Sequence, residues 1–210
     1  MFDKKEIAWI IIALILFEFI ILFPDAGLPS ILLILVPLII LPINLISKKI
    51  ASKYFDISIE YKIWHFQRFW FTEKAKFKKP FPIGVLLPFL VAFVSLGFLR
   101  PLTLIQFDYK NNPVTRVLKR KGFKKERKTE INESDVSYTV AWGLYPLLLL
   151  AFISWLIGYG ELASYSIYYG LWNLIPFGNL DGARLFFGSF INWVFVLVLF
   201  LIALPFVFFM

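Results

Sequence analysis

Apolar residues in this chain come in long runs. Residues 7–23, 28–47, 136–157, 165–180 and 190–210 are close to uninterrupted hydrocarbon, each bounded by short polar stretches. A helix of about 20 apolar residues covers the ~30 Å hydrocarbon layer of a bilayer, so the pattern predicts an all-α polytopic membrane protein with about five transmembrane helices. Pro37 and Pro42 lie inside the second run, where neighbouring helices can satisfy the carbonyls they free. One stretch has a different period. Ile57, Ile59, Tyr61 and Ile63 alternate with Ser58, Glu60, Lys62 and Trp64, which predicts a half-buried strand within a short β-hairpin-like cytoplasmic stretch. Trp64, Phe66, Phe69, Trp70 and Phe71 then crowd around His65 and Arg68, an aromatic belt suited to the headgroup level.

Residues 83–107 are apolar apart from Arg100 and a few uncharged polar side chains. Crossing twice would take about 40 helical residues, and only about 25 are present. Charge decides between one crossing and none. The short loops 24–29 and 158–164 hold no Lys or Arg, and apart from Arg100 all 22 basic residues lie in the other polar segments. Positive charge marks the cytoplasmic side, which puts those two loops outside. A single crossing by 83–107 would break that bias, so the segment is expected to be re-entrant, dipping in and returning on the cytoplasmic side against the helix core. The resulting expectation is one integral membrane domain over 1–210 in the cell membrane, multi-pass, with the N-terminus and basic loops cytoplasmic and the C-terminus outside.

Composition agrees with membrane residence. The chain is 60% hydrophobic and 20% aromatic, and its net charge of +8 belongs to the loops. It has no cysteine and one histidine, which excludes a disulfide framework, thiol redox chemistry and cysteine-based zinc sites. The first apolar run is too long for a signal-peptide core and has no small-residue cleavage site, so it reads as a retained span. In the basic loop 108–135, eight of the thirteen residues 116–128 are cationic: Arg116, Lys119, Arg120, Lys121, Lys124, Lys125, Arg127 and Lys128. Such a juxtamembrane run suits anionic lipid or plain solvation. With Phe123 as its one aromatic residue, it gives no reason to expect nucleic acid.

Residues 172–187 carry the most polar groups set among apolar flanks: Trp-Asn-Leu-Ile-Pro-Phe-Gly-Asn-Leu-Asp-Gly-Ala-Arg-Leu-Phe-Phe. An ionisable residue at membrane depth reads by default as a functional site, which points to Asp181. The plainer reading is that Asn173 and Pro176 break a helix and Asp181 lies at the membrane surface beside Arg184. Glu18 and Asn44 are further intramembrane polar candidates, and a helix–helix hydrogen bond is the simplest role for Glu18.

The stretch resembles the Asn-x-x-Pro-x-x-x-Leu-Asp-Gly motif of the site-2 protease family of intramembrane zinc metalloproteases, with Asn173, Pro176, Leu180, Asp181, Gly182 and Arg184 matching. The resemblance implies a three-helix core in which Asp181 is the third zinc ligand. It also implies a second core helix at Ala141-Trp142-Gly143-Leu144-Tyr145-Pro146, and it places Asn44-Leu45-Ile46-Ser47-Lys48 where the family has His-Glu-x-x-His. Those five residues hold neither histidine nor glutamate. A catalytic zinc takes three protein ligands with a glutamate as general base, and two histidines four apart present their rings on one helix face. The one histidine, His65, lies downstream and reads as an interfacial side chain bonded to backbone or lipid. Gly143 and Gly158 read as close-packing or turn residues.

The degenerate motif therefore suggests a pseudoprotease without a cofactor. It would act as a binding scaffold for a client or partner transmembrane helix, or as a subunit of a membrane assembly, with Asn173, Pro176 and Asp181 as a polar knot. Two alternatives remain: an active metalloprotease with an atypical zinc site on Asp181, and a small transporter or channel lined by Glu18, Asn44, Asn173 and Asp181. Oligomeric state is open.

Overall fold

Asp3 and Glu6 close a capping box that starts the first helix, α1 (Lys4–Leu22): Asp3 accepts from the backbone of the first turn, and the Glu6 carboxylate accepts from the Asp3 N–H at 2.8 Å. The computed structural model describes residues 3–23, 31–68, 76–102, 104–111 and 131–208, and these are mostly helical. The other helices are α2 (Ile31–Tyr54), α3 (Ile83–Val94), α4 (Glu133–Ile157), α5 (Gly160–Leu174), α6 (Asp181–Gly188) and α7 (Phe190–Phe208). Residues 33–54 of α2 and the whole of α4 are long and apolar enough to cross a membrane. α1 and α7 are 19 residues each and α5 is 15, so α5 falls short of the expected length.

Helix α2 runs through Pro37 and Pro42 and continues past the predicted end at 47 to Tyr54. Lys48 and Lys49 are therefore helical, and both are buried. The predicted span 165–180 is corrected more sharply. Its helix begins earlier, at Gly160, and stops at Leu174, because Ile175 turns extended ahead of Pro176. An irregular turn follows, and Asp181 opens the separate eight-residue helix α6. Gly158 ends α4 in the left-handed conformation.

The alternating stretch forms strand β1 (Ile57–Ile63), with its apolar residues buried as predicted. Its partner differs from the hairpin expected. β1 pairs antiparallel with β4 (Ile105–Asn111), from Ile57↔Asn111 to Ile63↔Ile105, while β2 (Phe66–Arg68) and β3 (Lys76–Phe81) form a second two-stranded sheet. Ile105 and Phe107 of β4 are the ladder partners of Ile63 and Tyr61, so the two strands share one apolar face, and Gln106 between them is buried as well.

The end of the apolar segment 83–107 is consequently a strand, and so is the start of the presumed loop 108–135. The remainder leaves one point and returns to it. The Gly84 N–H donates to the Trp64 carbonyl at 2.8 Å, and the Trp64 N–H donates to the Leu104 carbonyl at 3.0 Å. At the far end, the Arg100 N–H donates to the Tyr168 hydroxyl and Arg100 Nη1 to the Tyr165 hydroxyl, at 3.1 and 2.7 Å, pinning the tip to α5. Trp64 is buried, edge-on to Phe177, and so lies outside the predicted aromatic belt. The belt residues 69–71, the 24–29 turn and the basic run 116–128 lie outside the described residues.

The core gathers around α2 and α4, with Phe17, Ile40, Leu41, Leu45, Leu144, Leu147 and Phe200 closed off from solvent. α4 packs against α2, α5 and α6. Beside this core Lys48 of α2 reaches Asp181 of α6.

Candidate functional site

Asp181 sits in the first turn of α6, where the helix dipole favours a negative charge. Its neighbour Gly182 is needed for the approach of that turn: a Cβ there would lie 2.4 Å from the Ile175 carbonyl oxygen. The Leu-Asp-Gly order thus folds α6 back against the broken end of α5. The Asp181 carboxylate then points to α2, where it accepts a hydrogen bond from the Lys48 ammonium. The two side chains are 2% and 3% exposed, which makes this a fully buried ion pair.

Asn44 lies one helical turn before Lys48, on the same face of α2. Its amide donates to the Gly143 carbonyl of α4 at 2.8 Å, and its Oδ1 is buried without a partner among the described residues. The Lys48 stem crosses the same glycine. A Cβ on Gly143 would fall 2.4 Å from Lys48 Cγ, so only glycine lets the stem pass. One ammonium from α2, one carboxylate from α6 and one backbone carbonyl from α4 are thereby joined through two side chains four residues apart.

β1 closes the site from the side where α2 ends. The Tyr61 hydroxyl donates to the Leu45 carbonyl at 2.8 Å. Burial and the nearby Asp181 carboxylate push that hydroxyl well above its ordinary range, which keeps it a donor. Next along α2, Lys49 donates to Glu6 at 2.6 Å and to the Ile59 carbonyl at 2.9 Å, while Glu6 also accepts from the Tyr61 N–H at 2.9 Å.

The predicted residues are gathered only in part. Asp181 and Asn44 meet the same lysine face of α2. Asn173 is buried but donates back to the Tyr169 carbonyl of its own helix at 2.8 Å, and Pro176 is exposed. The expected knot of Asn173, Pro176 and Asp181 is replaced by Lys48, Asp181 and Asn44. Arg184 turns from Asp181 toward β4, its guanidinium 4.2 Å from the Phe107 ring centroid and 5.0 Å from that of Tyr109. Burial holds its pKa below the usual value despite Asp181, Tyr109 and Asp108. Glu18 stays apart on α1, with Oε1 buried and no partner among the described residues.

These donors do not fit zinc. The Asp181 carboxylate is engaged by an ammonium, and Asn44 offers a neutral amide. His65 bonds through Nδ1 to the Ile63 carbonyl and packs edge-on to Trp9, in keeping with a backbone-bonded histidine. Among the described residues no three His, Cys, Asp or Glu side chains cluster with metal-site geometry. Lys48 lies one residue past the predicted end of the second span at 47, so the apolar pattern does not mark it. The available signal was its spacing of four from Asn44, the spacing the family uses for its two histidines. No family model, curated protein or solved structure matches this chain.

Proposed function

We propose that this chain is a site-2-protease-like membrane protein without proteolytic activity, working by binding as a scaffold or as a subunit of a membrane assembly. It would cross the membrane about five times, with the N-terminus and basic loops cytoplasmic, segment 83–107 re-entrant and the C-terminus outside. Its partner would be a transmembrane helix.

One observation carries the reading: the ion pair of Lys48 and Asp181. The alignment of motifs puts Lys48 where the family has its second zinc-binding histidine, and that side chain reaches the motif carboxylate. A tethered cation stands where the family would hold a metal. A carboxylate in the interior needs a positive charge beside it, and an ammonium supplies one without offering a site for water activation. Burial of Asp181, Lys48 and Asn44 supports the same reading, since a substrate bond would have to reach them.

Zinc per chain in detergent-purified protein tests this. The wild type should carry no stoichiometric zinc, and the double variant Asn44→His/Lys48→His should gain about one ion, lost again when Asp181→Ala is added. About one zinc in the wild type, lost in Asp181→Ala, would instead establish the active metalloprotease alternative. A double variant that folds but takes no zinc would sink the family scaffold.

A further inference from the structure

The first residue of α4, the last of α6 and Tyr109 of β4 surround an open cavity of about 150 Å³. Arg184 and Glu133 both line it, together with Asn179 and Phe187. The Arg184 guanidinium is fixed in place by its stacking on Phe107 and by an Nε hydrogen bond to the Asn179 carbonyl at 3.3 Å. Its Nη2 lies 4.0 Å from Asp108, a carboxylate that Lys62 also engages. Its Nη1 is buried and has no acceptor among the described residues, a costly state for a charged donor. The cavity thus has one cation, Arg184, and one carboxylate, Glu133, in its lining.

Its level in the fold narrows the ligand. α4 is long and apolar enough to span a bilayer, and Glu133 is its first residue, ahead of the apolar stretch. A cavity at that end lies where headgroups lie. Phe187, Phe190 and Ile191 around the same end are 74%, 57% and 83% exposed, an apolar surface suited to acyl chains. A simple anion would be repelled by Glu133, and a simple cation by Arg184. A group carrying phosphate and ammonium a few bonds apart satisfies both.

We propose that this cavity binds the headgroup of an aminophospholipid of the phosphatidylethanolamine kind, its phosphate on Arg184 and its ammonium on Glu133. The inference rests on the membrane-spanning part of the reading above and is independent of the lost zinc site. The lipid would seal the junction of α4, α6 and β4.

The test uses the full chain in phosphatidylcholine nanodiscs doped with phosphatidylethanolamine or phosphatidylglycerol, with retained lipid counted by native mass spectrometry. Wild type should keep one phosphatidylethanolamine in preference to the other two. Arg184→Gln should lower retention about tenfold, while Glu133→Gln, at an exposed position, should keep lipid but lose the preference over phosphatidylglycerol. Equal retention by wild type and both variants would overturn the site. Displacement of the lipid by soluble phosphoethanolamine at equal concentration would assign the cavity to a free phosphoester and overturn the lipid. Release of the chain from membranes by alkaline carbonate would remove the membrane reading itself, whereas a chain that resists extraction yet keeps no phosphatidylethanolamine defeats this inference alone.

Discussion

Lys48 and Lys49 are neighbours on α2, and each meets a carboxylate from a different part of the chain: Lys48 that of Asp181 and Lys49 that of Glu6. Around Lys49 the polar groups are shared out, because Glu6 also accepts from the Asp3 and Tyr61 N–H groups and Lys49 also donates to Ile59. Around Lys48 they are not, since the neighbouring Asn44 keeps a buried oxygen without a partner among the described residues. The outer pair ties α1, α2 and β1 together as a structural staple does. The inner pair holds charge in a place where packing alone would prefer hydrocarbon.

The largest effect should come from breaking the inner pair. Asp181→Ala leaves an ammonium buried and should cost about 4 kcal/mol in detergent unfolding, whereas Lys48→Met with Asp181→Leu should recover most of it. A single variant as stable as wild type would show that the pair is not part of the packed core. Glu6→Gln should cost less, about 2 kcal/mol, because the amide keeps some of the outer hydrogen bonds. Gly143→Ala should cost a similar amount or slightly less, about 1–2 kcal/mol, by pushing the Lys48 stem aside. In a Lys48→Ala background that cost should shrink, and a double-mutant cycle with no coupling would refute the contact.

The smallest effect is a pH limb that separates the pairs. Burial alone would raise the Glu6 carboxyl, but the Lys49 hydrogen bond and the Asp3 and Tyr61 N–H groups outweigh it and hold its pKa below 4.5. A lowered folded-state pKa gives stability that is present above the unfolded value and is lost as pH falls through the folded one. Unfolding midpoints should therefore drop as pH goes below about 4.5, and Glu6→Gln should flatten that limb. An unchanged limb in the variant would place the acid sensitivity elsewhere.

How much was legible follows from the range of each interaction. β1 could be read to the residue because alternation is local, and α4 because its apolar run has no competing signal. The ends of α2 and α5 were misplaced for opposite reasons. Lys48 and Lys49 signal the end of a span at 47, yet the helix continues to Tyr54, with Lys48 paired to a carboxylate 133 residues away. Apolar side chains extend the predicted span to 180, yet Pro176 stops the helix at Leu174. The partner of β1 is hidden because Ile105 and Phe107 read as the tail of an apolar segment, and the register that sets them beside Ile63 and Tyr61 joins positions far apart in the chain.

By itself the sequence determined that the chain is rich in membrane-length apolar segments, that residues 57–63 form a strand and that Asp181 stands in a helix-breaking motif; each follows from residues adjacent in the chain. It also determined what is missing, since one histidine cannot supply two. Only the tertiary structure decided what faces Asp181, which strand pairs with β1 and where Arg184 turns. Those outcomes depend on desolvation: a buried charge takes the best opposite charge within reach, and which one is in reach is set by how α2, α4 and α6 pack.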